Sequence, residues 1–105
     1  MLISSYHGTI QTAELIRHDI DIVHGLASNT VQMFERNVDA AIANWLDWNR
    51  SVDPEHEAIV AVRVKCSVLA EYLTEAGLLY RKPEVDELKA QAHLAVDAFE
   101  AAFRG

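Results

Sequence analysis

Apolar residues in this chain recur with alternating steps of three and four in four separate segments, the spacing that lines up one stripe of an α-helix. The fold class that follows is all-α: an antiparallel bundle of four helices. The first segment runs from about Thr9 to Ala27 and carries Ala13, Ile16, Ile20, Val23 and Ala27, with Thr9 or Thr12 as its cap. The second opens at Ser28 and Asn29, with Gln32 placed for a loose capping box, and carries Val31, Phe34, Val38, Ala41, Ile42 and Trp45. Leu46 and Trp48 widen its apolar arc. One continuous helix through residues 25–30 is the alternative, because the stripe barely loses phase across the break.

The run Ser51-Val52-Asp53-Pro54-Glu55 predicts the start of the third helix: Asp53 caps, Pro54 presets the first helical φ, and Glu55 and Glu57 suit the positive helix end. Its stripe is Ile59, Val62, Cys66, Leu69, Leu73 and Ala76, ending at Gly77. The β-branched run from Ile59 to Val68 would suit a strand, but the caps and the length of the helical period outweigh it. After a short link, Pro83 opens a fourth helix with Glu84, Asp86 and Glu87 in its first turn. It presents Val85, Leu88, Ala92, Ala95, Phe99, Ala102 and Phe103, and its alanines allow close approach of a neighbour. A link of about six residues favours antiparallel packing of helices three and four. With 105 residues and no long linker, one domain over residues 1–105 is expected, since two cores would each be small for independent stability.

The third helix is apolar on two sides. On a helical wheel Val60, Val64, Val68 and Tyr72 form a second row nearly opposite Cys66 and Leu69, with Glu71 and Glu75 marking a rim at its end. Two explanations stay open. Either helix three is central, with helix four on one face and the first two helices on the other, or one face meets another chain, most simply a two-fold copy.

Charge narrows the class of partner. Nine Lys and Arg against sixteen Asp and Glu leave a net charge of -7 with no basic cluster, which argues against direct nucleic-acid binding and against an anionic membrane surface. A basic protein would be attracted. No stretch approaches the apolar length of a membrane span. The single Cys66 and the absence of a secretory pattern at Met1-Leu2-Ile3-Ser4-Ser5 lead to the expectation of a cytoplasmic protein.

Candidate chemistry is sparse. Glu14, His18 and Asp21 share one side of the first helix, but opposite its apolar stripe, where solvated groups belong, and His24 would join them only with distortion. No metal or cofactor is therefore expected. Cys66 lies mid-stripe, where a thiol acts as a small hydrophobe. Ile16-Arg17 followed by Ile20-Asp21 resembles the opening of the helical chorismate mutase family, a resemblance that implies a dicarboxylate substrate held by basic side chains. The likeness covers only these residues, and the family's further basic residues have no counterparts in helices two and three. No phosphate loop, His-Glu-x-x-His or Gly-x-Ser-x-Gly is present.

Trp45 and Trp48, followed by Arg50, form a possible anchor, although Trp45 in the core with Trp48 covering its edge is the simpler reading. The expected function is a non-enzymatic one: a small acidic helical regulator, adaptor or inhibitor, of a kind that phages or plasmids encode, acting by protein–protein contact as a homodimer and on an unidentified protein partner. The expected interaction surface is Val60, Val64, Val68, Tyr72, Trp48, Glu84, Asp86 and Glu87. Acidic mimicry of nucleic acid through the last three is a variant of it. The alternative is a small helical enzyme or a ligand- or metal-binding bundle, with a pocket between helices that uses His18, Asp21, His24 or Trp45.

Overall fold

The computed structural model describes residues 6–25 and 28–104. Among them the chain forms α1 (Thr9–Ile22), α2 (Ser28–Trp48), α3 (Glu57–Ala76) and α4 (Lys82–Phe103), with a 3-10 turn at Gly77–Leu79 and no strand. The main packing partners of α1 are α2 and α4, and those of α3 are the same two. The helices therefore form a four-sided bundle in chain order, with α1 and α3 on opposite corners. The four stripes meet inside it, where Ile16, Ile20, Ile42, Ile59, Leu69 and Val96 are almost fully buried.

Helices one and two are separate. Val23 leaves the helix in extended backbone (φ -67°, ψ 139°), which sends its side chain into the core and ends α1 at Ile22. The predicted continuation towards Ala27 is thus corrected over residues 23–25, which are not helical, and Leu26 and Ala27 lie outside the described residues. The turn then lies close on α3: a Cβ added at Gly25 would sit 3.0 Å from the Leu73 carbonyl oxygen, so the absence of a side chain allows this approach. The second helix starts where expected, with Ser28 and Asn29 as its first two residues. At α1 the N-cap is Gly8, not Thr9 or Thr12, and Thr9 uses its hydroxyl elsewhere.

The third helix begins later than its Asp-Pro signal predicts. Asp53 and Pro54 build a turn of their own, in which the His56 amide donates to the Asp53 carbonyl (3.0 Å) and the Glu55 amide to Asp53 Oδ1 (2.9 Å). The same residue types serve a tight turn and a helix start. Here the turn takes them, and His56 becomes the N-cap, its Nδ1 accepting from the Ala58 amide at 3.1 Å. Glu57 remains in the first turn of α3, whereas Glu55 lies before it. The other end agrees with expectation: Gly77, with φ 53°, closes the helix by donating to the Leu73 carbonyl. In α4 the stripe gains Val96, while Ala102 is exposed.

One end of the bundle is tied by a buried polar knot inside an aromatic cluster. The Thr9 hydroxyl donates to the Phe103 carbonyl (2.8 Å) and accepts from Trp45 Nε1 (3.0 Å), which links α1, α2 and α4 through one oxygen. Asn49, also buried, donates through Nδ2 to the carbonyls of His7 and Trp45 and accepts from the His7 amide. Trp45, 1% exposed, packs edge-to-face on Phe99 and Phe103, each at 4.9 Å between ring centroids. Replacing Thr9 with valine strands both the indole N–H and the carbonyl. The expected loss is about 1–3 kcal/mol, read as a lower urea midpoint with an unchanged m-value; a Thr9→Val protein as stable as the wild type would show that the knot does not hold this end.

Candidate functional site

The middle of the second row of α3 is open to solvent, while Tyr72 at its end packs against the core. Val64 and Val68 are 49% and 44% exposed, Val60 and Tyr72 are half-buried, and Glu71 and Glu75 stand in solvent beside them. Of the two explanations left open for helix three, the one in which neighbouring helices cover both of its faces is thus corrected. Its neighbours α2 and α4 leave the side away from the core open, because a four-sided bundle gives each helix two packed flanks and one outer face.

The remaining predicted surface residues divide between the two ends of the bundle. Tyr72 lies near the end where α4 starts, and its hydroxyl accepts from the Arg81 amide at 2.9 Å. Glu84, Asp86 and Glu87 are exposed there, with Asp86 paired to Lys82 (2.9 Å) and Glu87 accepting from Gln91 Nε2 (2.9 Å). Trp48 is at the opposite end. Trp45 is in the core as the simpler reading has it, but Trp48 does not cover its edge: it is 70% exposed. The two rings, three residues apart, border one opening beside α1, Trp45 from the core side and Trp48 from solvent. Exposed Leu78 and Leu79 in the 3-10 turn were not anticipated, although an apolar pair inside a short link was a visible sign.

A second surface, along the seam between α1 and α2, was also missed. Three openings follow each other along it. The first, about 190 Å³, is bordered by Ile22, Met33, Asp19 and Asn37. The next, about 310 Å³, shares Asp19 and Asn37 and adds Leu15, Ala40, Ala41 and Asn44. The last, about 330 Å³, shares Asn44 and ends at Gln11, His7 and Trp48. Leu15, Ile22, Met33 and Trp48 are all exposed along this line. Leu15 and Ile22 are seven residues apart, two turns on one side of α1, and that off-stripe pair was the available signal. Within the seam, burial raises the Asp19 carboxyl above its ordinary pKa, opposed by the charge of His18 and by a hydrogen bond with Asn37.

The opposite seam of α1 is held by charge. Arg17 reaches Asp97 through Nη2 and Glu100 through Nη1, both at 2.8 Å, and Asp21 meets His93 Nε2 at 2.7 Å. Lys89 Nζ donates to the Asp21 carbonyl (3.0 Å), and burial lowers its pKa in spite of Asp21 and Asp86. Arg17, central to the chorismate mutase resemblance, is thus occupied by two carboxylates of its own chain. Glu14 and His18 are exposed, and the His24 carbonyl accepts from the Thr30 hydroxyl at 2.6 Å. Among the described residues no group of three or more His, Cys, Asp or Glu is arranged to hold a metal ion, and no helix is long and apolar enough to cross a membrane.

Comparison of the chain with protein-family models, curated proteins and solved structures finds no match. Its functional reading therefore rests on its own surface.

Cys66 is 3% exposed, and burial pushes its thiol up to about 12, with Asp19 and Asp39 adding to the shift. The thiol form is favoured in the fold. It therefore contributes stability that is intact below pH 9.0, the ordinary value, and declines as pH rises from there towards about 12. Native protein at pH 8 should resist iodoacetamide and become alkylated in urea; rapid alkylation of the native form would contradict a buried, protonated Cys66.

Proposed function

We propose that this chain is a non-enzymatic interaction protein that pairs with a second copy of itself through the outer face of α3. The observation that carries the reading is the exposed row of Val64 and Val68 between half-buried Val60 and Tyr72. Valine at an exposed helical position sacrifices rotamer freedom and gains no packing in the isolated chain. Four residues in steps of four make a ridge along the helix. Such a ridge interdigitates with its own copy across a two-fold axis, the arrangement in which two helices cross at about -50°. In that pairing Val64 faces Val68 of the second copy, and Val60 faces Tyr72.

Acidic charge selects the further partner. A net charge of -7, with Glu84, Asp86 and Glu87 at the start of α4, favours encounter with a basic protein and suits a regulator, adaptor or inhibitor. A cytoplasmic setting belongs to this reading, since it requires no disulfide and leaves Cys66 reduced. A small-molecule role has less support: the openings along the α1–α2 seam, about 190 to 330 Å³, lie at or below the lower end of ligand pockets, roughly 300–1,000 Å³.

Light scattering across a wide concentration range tests the pairing. The wild type should have twice the mass of the chain, and Val64→Lys should be a folded monomer with an unchanged circular dichroism spectrum. A monomeric wild type at millimolar concentration would remove the α3 face from consideration.

A further inference from the structure

One row of four side chains on a single helix supplies only part of the about 800 Å² that each partner of a stable pair buries. A pairing through α3 therefore draws in a neighbouring element, and the two neighbours of α3 differ. Towards α2 the margin is charged: Arg63 and Ser67 of α3 border an opening with Glu35 and Asp39, both exposed. Towards α4 it is apolar. Ala90, Leu94, Ala98 and Ala102 follow one another in steps of four, the spacing of Val60, Val64, Val68 and Tyr72, and all four are exposed, Leu94 at 62%.

Two contacts fix how these rows lie. At one end of the antiparallel α3–α4 pair His56 packs its ring on Phe103, 4.7 Å between centroids, and at the other the Arg81 amide donates to the Tyr72 hydroxyl at 2.9 Å. The register between these contacts sets Leu94 within a turn of Val64. His93 and Asp97 turn to α1, where Asp21 and Arg17 hold them. Leu94 and Ala98 are each one residue further on, about 100° round the helix, which carries them away from α1 and onto the outer side next to α3.

Charge and shape on this face both suit a second copy. Between Val60 and Val68 and between Ala90 and Ala98 the one carboxylate is Asp97, which Arg17 engages. A second copy of a chain with net charge -7 therefore meets no unpaired acid at the centre of the face, and a basic partner finds none to pair with. Lys65 is exposed there, and its flexible stem can carry the ammonium to the rim. Leu94 has an alanine four residues to either side, so across a two-fold axis the leucine of one copy lies over a small residue of the other.

We infer that the dimer interface is a two-helix face, in which the Ala90, Leu94 and Ala98 row of α4 packs on the second copy beside the valine row of α3. The inference rests on the proposed pairing through α3 and adds α4 to it.

Light scattering of a dilution series gives the dissociation constant of the dimer. Leu94→Lys and Ala98→Lys, both at exposed positions, put two like charges into the contact, one from each copy. Each should weaken the dimer at least about tenfold with an unchanged circular dichroism spectrum. Leu15→Lys makes the same charge change at an exposed leucine of α1, the opposite corner of the bundle, and should leave the dimer as tight as the wild type. A dimer that Val64→Lys dissociates but neither α4 variant weakens would confine the contact to α3; the inference is then overturned while the pairing stands. A wild type that is monomeric at millimolar concentration, or a dimer indifferent to Val64→Lys, would overturn both.

Discussion

The bundle depends most on one oxygen atom. The Thr9 hydroxyl sits where α1, α2 and α4 converge, accepts the indole N–H of Trp45 and donates to the last turn of α4. Trp45 is the largest fully buried side chain, and an indole buried without a partner for its N–H would be unfavourable. Asn49 repeats the device one turn later, satisfying backbone groups of the chain before α1 and at the end of α2. With the polar groups of this end paired, the surrounding Phe99 and Phe103 can exclude water from it.

The seams of α1 differ in what they leave over. Towards α4, Arg17 and Asp21 are matched with Asp97, Glu100 and His93, so the polar outer groups of that seam are engaged within the chain. Towards α2, Leu15, Ile22, Met33 and Trp48 remain open to solvent. The outer face of α3 is likewise apolar. On a protein with such a charge imbalance, apolar residues gathered on particular faces concentrate the surface available for burial.

The helix count, most of each buried stripe and the stop at Gly77 were legible because each is local: a period, a cap or a left-handed glycine needs no knowledge of neighbours. Separation of α1 and α2 was the leading reading with one continuous helix left open, because the stripe barely loses phase there; what decides it is Val23 turning extended so that the chain can pass α3 at Gly25. Asp53-Pro54 read correctly as a boundary and wrongly as a cap, since a turn and a helix start use the same residue types and His56 decided between them. The row on α3 was found on the wheel, but whether other helices cover such a row is a property of the whole bundle. The α1–α2 groove escaped notice because its residues, one or two per turn and off the stripes, look individually like scattered surface side chains.

The bond from Thr9 to Phe103 joins residues 94 positions apart. Long-range closure of this kind comes late, after the loop entropy of nearly the whole domain has been overcome. During synthesis α1, α2 and α3 emerge with the fourth side of the bundle open, and Trp45 waits without Phe99, Phe103 or the final acceptor for the Thr9 proton. The fourth helix, which leaves the ribosome after the other three, is thus the one that excludes water from the first, and until it arrives the nascent chain presents an apolar trough that a chaperone or a second nascent chain could enter.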